Sequence, residues 1–184
     1  YGLVKEADWI EFQVFPPKEI PERLQRIANV VMQRSNVRID KVKNVKELVS
    51  KYGIEYMDVI GKAYEKLYNF QPLTEKQKKY YCDMYFPILN FDFVTVIVND
   101  KNEVVGVGVG MPDISNALRK CGGKLFPFGW YHFLKAINNF DNIDLYFNGV
   151  HPKWQNKGIH SIYYAEMNKQ YINLGSKTAI ANPQ

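Results

Sequence analysis

The sequence is poor in cysteine and has no apolar run long enough to cross a bilayer. Its two cysteines, Cys82 and Cys121, form no CxxC or CxxH pair. This spacing argues against a disulfide scaffold and a zinc site, so we predict buried thiols and no metal. A bilayer span needs about 20 apolar residues. The first residues also lack the zones of a signal peptide, and we therefore expect a cytoplasmic protein with no membrane span.

The common nucleotide-binding motifs are also missing. The phosphate-binding loop GxxxxGK[ST] does not occur in the sequence. The dinucleotide motif GxGxxG is absent as well, and the nearest stretch, GVGVGM, falls inside a predicted β-hairpin and opens no helix. The sequence therefore excludes both of the usual nucleotide sites.

The composition is that of a globular domain with an excess of positive charge. The 184 residues are 46% hydrophobic and 15% aromatic, which is enough for a core. The net charge of +5 suits an anionic ligand, and it is also compatible with weak attraction to nucleic acid or to a membrane surface. The lysines and arginines are spread over predicted helix faces, so we do not expect sequence-specific nucleic-acid binding.

The first half of the chain, residues 1–90, is predicted to be mainly helical. One helix starts near Pro21, and two further helical pieces are divided near Gly53. Thr74 followed by Gln77 has the pattern of a capping box and starts another helix, which ends before Pro87. We predict that this portion packs on, or precedes, a second domain.

The second half, residues 91–184, changes to a strand-like pattern. Two runs rich in β-branched residues flank the turn Asp100–Asn102 and predict a hairpin. The glycines at 106, 108 and 110 share one face, where they admit a ligand or a closely packed helix. A short helical region, a third strand at 143–150, a long helix ending at Gly175 and a fourth strand at 177–182 follow. We predict a mixed α/β fold, with the last two strands parallel.

A polar turn connects the third strand to the long helix. The strand stops at Val150, the helix begins near Gly158, and Gln155–Lys157 lie between them. The first backbone N–H groups of a helix lack intrahelical acceptors, and the helix dipole adds partial positive charge there. We therefore predict that the turn binds an anion.

This stretch resembles the GCN5-related N-acetyltransferase (GNAT) superfamily, which binds acyl-CoA with a [QR]-x-x-G-x-[GA] segment preceded by V-x-P. Val150 and Pro152 match the V-x-P, and Gln155 and Gly158 match the loop, whereas His160 departs from the usual Gly or Ala. The resemblance implies a GNAT-like mixed central sheet and an acetyl-CoA or other acyl-CoA co-substrate. It assigns cofactor binding to Asn148, Gly149, Val150, Gln155, Asn156, Lys157, Gly158, Ile159 and His160.

In one branch of the superfamily, a carboxylate six residues before the valine of V-x-P acts as general base. The corresponding residue is Asp144, for which a solvated surface carboxylate is the alternative interpretation. Strict alternation along the strand predicts that Ile143, Leu145, Phe147 and Gly149 share one face and that Asp144, Tyr146, Asn148 and Val150 share the other.

The family pattern continues beyond the fourth strand, so we expect a core truncated at its C-terminus, with the general acid beyond residue 184. The expected function is acyl transfer from CoA to a small-molecule or peptide amine, with a possible homodimer. A catalytically inactive module that binds CoA or a partner is the alternative. A further alternative function is nonspecific nucleic-acid binding by the basic helices, and added salt should weaken such binding.

Overall fold

The computed structural model describes residues 2, 4–124 and 126–181, which form a mixed α/β fold around one six-stranded sheet. The order of strands across the sheet is β1-β6-β5-β4-β3-β2. The elements are β1 (Phe12–Val14), α1 (Glu22–Ser35), β2 (Val37–Asp40), α2 (Val45–Tyr52), α3 (Glu55–Tyr64), α4 (Glu75–Tyr85), β3 (Val94–Asn99), β4 (Val104–Pro112), α5 (Ser115–Cys121), α6 (Gly129–Asn138), β5 (Asn142–Val150), α7 (Ile159–Leu174) and β6 (Thr178–Ala181).

The central strands follow the predicted order. β3 and β4 form the antiparallel hairpin, and β5 pairs with β4 in antiparallel fashion. β6 then runs parallel to β5, as a strand must when a helix crosses over between the two. The prediction of a mixed α/β sheet flanked by helices is confirmed. Asn182, the last residue of the predicted fourth strand, lies outside the described residues.

Two edge strands come from the first 40 residues and were not predicted. β1 pairs antiparallel with β6, and β2 pairs antiparallel with β3, so both edges of the sheet are formed by N-terminal sequence. The helices of this half match the prediction more closely. Gly53 separates α2 from α3, and Thr74 and Gln77 form the reciprocal capping box of α4. The domain boundary at residue 90 stays a prediction.

One face of the sheet is covered by α7 and α1, which pack against each other. The glycines of β4 explain why α7 lies so close. An ideal Cβ on Gly108 would stand 1.8 Å from the ring of Tyr163, and one on Gly110 would stand 3.1 Å from Met167. Of the two interpretations of this glycine face, the structure supports the closely packed helix.

The other face is covered by α2 and α3 together with the residues that follow α4. The fully buried side chains Leu48, Tyr56 and Val59 pack there against the valines of β3 and β4. Helix α3 also crosses β5, because a Cβ on Gly149 would meet Cβ of Ala63 at 3.0 Å. β5 is therefore enclosed between α7 and α3.

A β-bulge in β5 breaks the predicted alternation. Val109 pairs with Phe147, but Gly110 pairs with Leu145, so the register shifts by one residue and β5 holds Tyr146 as an extra residue. Ile143 and Leu145 face α7, whereas Gly149 faces α3. The prediction that these three residues share a face is wrong. One inserted residue reverses the side of every residue after it, because the side-chain period of a strand is two.

Candidate functional site

The turn between β5 and α7 has a backbone shaped by two left-handed residues. A short 3₁₀ turn, Pro152–Trp154, leads into Gln155, after which Asn156 has φ 61° and Gly158 has φ 81°. Ser161 N–H bonds back to the carbonyl of Gly158. Among the described residues, the backbone N–H groups of residues 156–160 donate no hydrogen bond of good geometry to a backbone carbonyl. The turn therefore presents a run of N–H donors at the helix N-terminus, which suits an anion.

A glycine at position 158 is explained by local structure as well as by close approach to a ligand. It is the residue before α7, and its left-handed backbone disfavours any residue with a Cβ. An ideal Cβ there would lie 3.0 Å from Cγ2 of Val31 in α1. The bare side of Gly158 therefore faces α1, so the packing of that helix also requires a glycine at this position.

The other residues predicted to bind the cofactor differ in the solvent exposure of their side chains. Asn156, Lys157 and His160 are exposed, whereas the Ile159 side chain is buried in the core, so that only its backbone can reach a ligand. Lys157 Nζ lies 4.6 Å from the centre of the Trp154 ring, and this cation–π contact holds its charge beside the turn. The sequence motif thus supplies amides and one cation rather than a set of charged ligands.

His151 precedes this turn and is an acceptor in its neutral form. Its Nδ1 accepts a hydrogen bond of 3.3 Å from Lys153 N–H. Burial, followed by the positive charges of Lys62 and Lys153, lowers the pKa of His151. Its ring is therefore neutral at physiological pH and orders the 3₁₀ turn rather than adding positive charge.

Beside the turn, residues 147–150 of β5 have no paired strand on the β6 side among the described residues. Pairing with β6 covers only Asn142 to Leu145 among the described residues. His151 N–H bonds to the Val105 carbonyl in β4, so the antiparallel alternation directs the backbone groups of Asn148 and Val150 away from β4. These groups lie on the β6 side of β5, beyond the paired residues, and we call this edge the seam. The resemblance expects the pantetheine arm of CoA to bind there.

Side chains of the protein itself bond to these seam groups. The Tyr64 hydroxyl, at the end of α3, donates to the Asn148 carbonyl at 3.0 Å and accepts from the Asn148 N–H at 3.2 Å. Gln155 Nε2 donates to the Val150 carbonyl at 3.1 Å. A ligand that pairs with β5 must therefore replace these two side chains.

A small cavity adjoins the seam on the α7 side. Its volume is about 40 Å³, and its lining includes Asn148, Gly149, Val150, His160 and Tyr163. The Tyr163 hydroxyl is buried and has no hydrogen-bond partner in the part of the chain that the structure describes. A buried polar group without a partner is costly, so this phenol is a ready partner for a polar ligand group or a water. The cavity is too small for more than the tip of a ligand.

Asp144 lies near the beginning of β5, on the face opposite α7. Its neighbours Ile143 and Leu145 belong to the α7 core, and it pairs in register with Met111, which belongs to the α3 face. Burial raises the pKa of Asp144 to about 6, and the negative charges of Asp113 and Glu11 add to the effect. The carboxylate is half-buried, so the alternative of a fully solvated group does not hold. Such a carboxylate is a better proton acceptor at neutral pH than an ordinary aspartate.

Two residues of this site were outside the sequence prediction. Tyr64 reaches Asn148 across 84 positions of sequence, and no local pattern could indicate that contact. Glu11 approaches Asp144 only because β1 joins the sheet next to β6. The sequence motif located the turn and the strand, whereas their partners come from the N-terminal half.

Two searches of the described residues gave negative results. No cluster of three or more histidine, cysteine, aspartate or glutamate side chains could hold a metal ion in residues 2, 4–124 and 126–181. No helix in that same part of the chain has the length and apolarity to cross a membrane.

Comparison of the sequence with protein-family models and with curated proteins finds no match. Among solved structures, the chain is similar to a GCN5-related glucosamine N-acetyltransferase region of a fungal multi-domain GH3 beta-N-acetylglucosaminidase, at 9% identity and a TM-score of 0.49. It is also similar to L-PGS from Bacillus licheniformis, at 13% identity and a TM-score of 0.48. These matches cover 94% and 95% of this chain, which spans 18% and 48% of the two structures. A structure described as GCN5-related is thus among the matches.

Proposed function

We propose that this chain is an acyl-CoA-dependent N-acyltransferase, with acetyl-CoA as the acyl donor and an amine as the acceptor. One observation carries the proposal. The single strand β5 joins a turn rich in free amides, at residues 156–160, to the half-buried carboxylate of Asp144. The six residue steps from Asp144 to Val150 span about 20 Å of extended strand, which gives an elongated ligand room to lie between the two.

The turn forms the end of the site that binds the acyl donor. The amides of residues 156–160 would bind the diphosphate of CoA, and Lys157 would add a positive charge. The seam groups of Asn148 and Val150 would pair with the amides of the pantetheine arm, alongside Gly149. The unpartnered hydroxyl of Tyr163 supports the fit, because a polar ligand would satisfy it.

Binding requires a local rearrangement. Tyr64 and Gln155 bond to the seam groups that the pantetheine arm would use. Both are side-chain contacts, so rotation of the two side chains would free the strand without unfolding it. Ligand affinity is then reduced by the cost of breaking these bonds.

The acceptor end is Asp144. The carboxylate takes a proton from the acceptor ammonium, directly or through a water, so that the neutral nitrogen can attack the thioester carbonyl. Attack forms the N–C bond and a tetrahedral oxyanion, whose collapse breaks the C–S bond. The departing CoA thiolate takes up the proton that the former amine nitrogen loses as the amide forms. Binding positions the two substrates, and a backbone N–H of β5 near the bulge would stabilise the oxyanion. No covalent nucleophile is needed. The general acid of the family pattern falls outside the described residues.

Asp144 and the cavity lie toward opposite faces of the sheet, which suggests how two substrates would approach. The cavity lies beside α7, whereas Asp144 lies on the side of α3 and α4. Donor and acceptor can therefore enter from different faces and meet at the bulge around Tyr146. The acceptor class that we propose is a small-molecule or peptide amine.

A second function is a catalytically inactive module that binds CoA or a partner. The contact of Tyr64 with Asn148 favours it, because the protein closes its own seam. His160 adds bulk where the family motif has a small residue. For either function we propose a cytoplasmic location, where acyl-CoA is available, and we leave a homodimer open.

Calorimetric titration with acetyl-CoA, followed by a thiol-release assay over a panel of amines, tests the proposal. We expect binding, and turnover with at least one amine. Asp144→Asn should leave binding unchanged and lower kcat by about 100-fold, which is the lower range for loss of a general base. The matched control Asp141→Asn, an exposed carboxylate, should change neither quantity. Binding without turnover would favour the inactive module, and absence of binding would refute both the acyltransferase and a module that binds CoA.

A further inference from the structure

An exposed aromatic hairpin stands apart from the candidate site. We define the aromatic hairpin as α5, α6 and the loop between them, which together join the end of β4 to the start of β5. Phe126 is 81% exposed and Phe128 is 72% exposed. Such exposure of large rings is costly in water unless another surface covers them. Four further apolar side chains of the hairpin are exposed, namely Leu118, Trp130, Tyr131 and Leu134.

The loop of the hairpin is held in a defined conformation. An ideal Cβ on Gly129 would lie 1.9 Å from the Lys124 carbonyl oxygen, so the two ends of the loop touch. Trp130 Nε1 donates a hydrogen bond of 3.0 Å to the Pro127 carbonyl. Phe126 and Phe128 on either side of Pro127 are therefore presented outward from a tightly closed base.

The charge of the hairpin has one sign. From Ile114 to Phe140 the sequence contains Arg119, Lys120, Lys124 and Lys135 and no acidic residue. All four cations are exposed, and none forms an ion pair within 4.0 Å in the described part of the chain. The surface that covers these rings must therefore be anionic as well as apolar.

We propose that the aromatic hairpin docks on the surface of an anionic lipid bilayer, with Phe126 and Phe128 inserted among the headgroups. Aromatic rings favour this interfacial zone, and lysines beside them bind anionic headgroups. Leu118 and Leu134 favour lipid over single-stranded nucleic acid, because aliphatic side chains do not stack on bases. A hairpin whose exposed surface carries three lysines differs from protein interfaces, which are depleted in lysine. The proposal does not depend on the proposed acyltransferase activity.

Sedimentation with vesicles tests the docking. We expect the full chain to bind phosphatidylcholine vesicles that contain about one-third phosphatidylglycerol and not vesicles of phosphatidylcholine alone. The double variant Phe126→Ser/Phe128→Ser should lose at least about tenfold in affinity. Phe15→Ser removes a ring that is 69% exposed elsewhere and should bind like the parent. Lys120→Gln/Lys124→Gln should weaken binding, and added salt should weaken it further.

Tryptophan fluorescence locates the contact. Vesicle binding should shift the emission to shorter wavelength, and Trp130→Phe should abolish the shift while Trp9 and Trp154 remain. Equal thermal midpoints of all variants would show that they fold. Equal binding to neutral and anionic vesicles, absence of vesicle binding, or equal loss in Phe15→Ser would overturn the proposal. Hairpin-dependent binding to single-stranded RNA or to a protein, without vesicle binding, would also overturn it.

Discussion

The helices on the two faces of the sheet contact its strands in different ways. On the α7 face, the glycines of β4 allow a large ring to lie directly on the backbone, and Tyr163 fills the space above Gly108. On the α3 face, a polar group reaches the backbone instead, as the Tyr64 hydroxyl bonds to Asn148. The α7 face thus packs a side chain directly on the backbone of β4, whereas the α3 face also makes a polar side-chain contact with the backbone of β5. Substitutions on the first should cost stability, and those on the second should alter polar contacts and titration.

The largest effect should come from filling the α7 face. Gly108→Ala sets a methyl group 1.8 Å from the Tyr163 ring, and neither β4 nor α7 can move away cheaply. We expect a loss of about 3 kcal/mol in the free energy of unfolding, measured by urea denaturation. The matched control is Gly61→Ala in α3, where nothing lies within 4 Å, and it should stabilise by about 0.5–1 kcal/mol. Equal effects of the two substitutions would contradict the close packing.

Two glycines with left-handed backbones flank α7. Alanine substitutions at the two positions distinguish backbone strain from steric crowding. Gly158→Ala and Gly175→Ala impose similar strain, because both have positive φ, but only Gly158 also faces Val31. We expect Gly175→Ala to cost about 1 kcal/mol and Gly158→Ala about 1 kcal/mol more. Val31→Ala should recover part of the second cost in a double-mutant cycle. Additive effects in that cycle would show that the α1 contact is unimportant.

The seam on the α3 face is tested by removing one hydroxyl. Tyr64→Phe deletes both bonds to Asn148 and should cost about 1 kcal/mol in stability. If a pantetheine arm uses the same groups, the variant should also bind acetyl-CoA more tightly, as calorimetry would report. Tyr80→Phe changes an exposed tyrosine and serves as the control. Weaker acetyl-CoA binding in Tyr64→Phe would mean that Tyr64 assists the ligand rather than competing with it.

The smallest effect should be a pH-dependent gain in stability, because solvent screens the charge of the half-buried Asp144. The pKa of Asp144 is raised from 3.8 to about 6 in the folded protein, chiefly by burial. The folded state then holds the proton more tightly than the unfolded state, so stability is lost as the pH rises from 3.8 through about 6. Asp144→Asn removes this loss of folding stability, so the variant should have a higher Tm than the parent at pH 8 but not at pH 3. Asp141→Asn should leave the pH profile unchanged, and a lower Tm for Asp144→Asn at pH 8 would reverse the assigned direction.

The elements with a strong local signal were predicted well. The β3–β4 hairpin, the capping box of α4 and the glycine after α7 each depend on residues close together in sequence. The motif around Gln155 and Gly158 likewise located the amide-rich turn. Short edge strands gave no such signal, because three or four residues between helices do not establish a period of two. β1 and β2 were therefore missed.

The candidate site was predicted in part. The position of Asp144 on β5 came from the family pattern, but its raised pKa depends on burial and then on the charges of Asp113 and Glu11, and tertiary structure supplies all three. The bulge at Tyr146 was not predicted either. An extra residue in one strand leaves no trace in composition, and only the register with β4 reveals it. Contacts between distant segments are the part of this site that sequence patterns cannot supply.

The pairing of β1 with β6 has a consequence for how the fold assembles. Phe12 meets Ala181, so this edge joins segments separated by almost the whole chain. The entropy of closing so long a loop delays such contacts until the intervening elements have already come together. The edge that brings Glu11 toward Asp144 is therefore the last part of the sheet to form, and the full electrostatic environment of that carboxylate is completed only then.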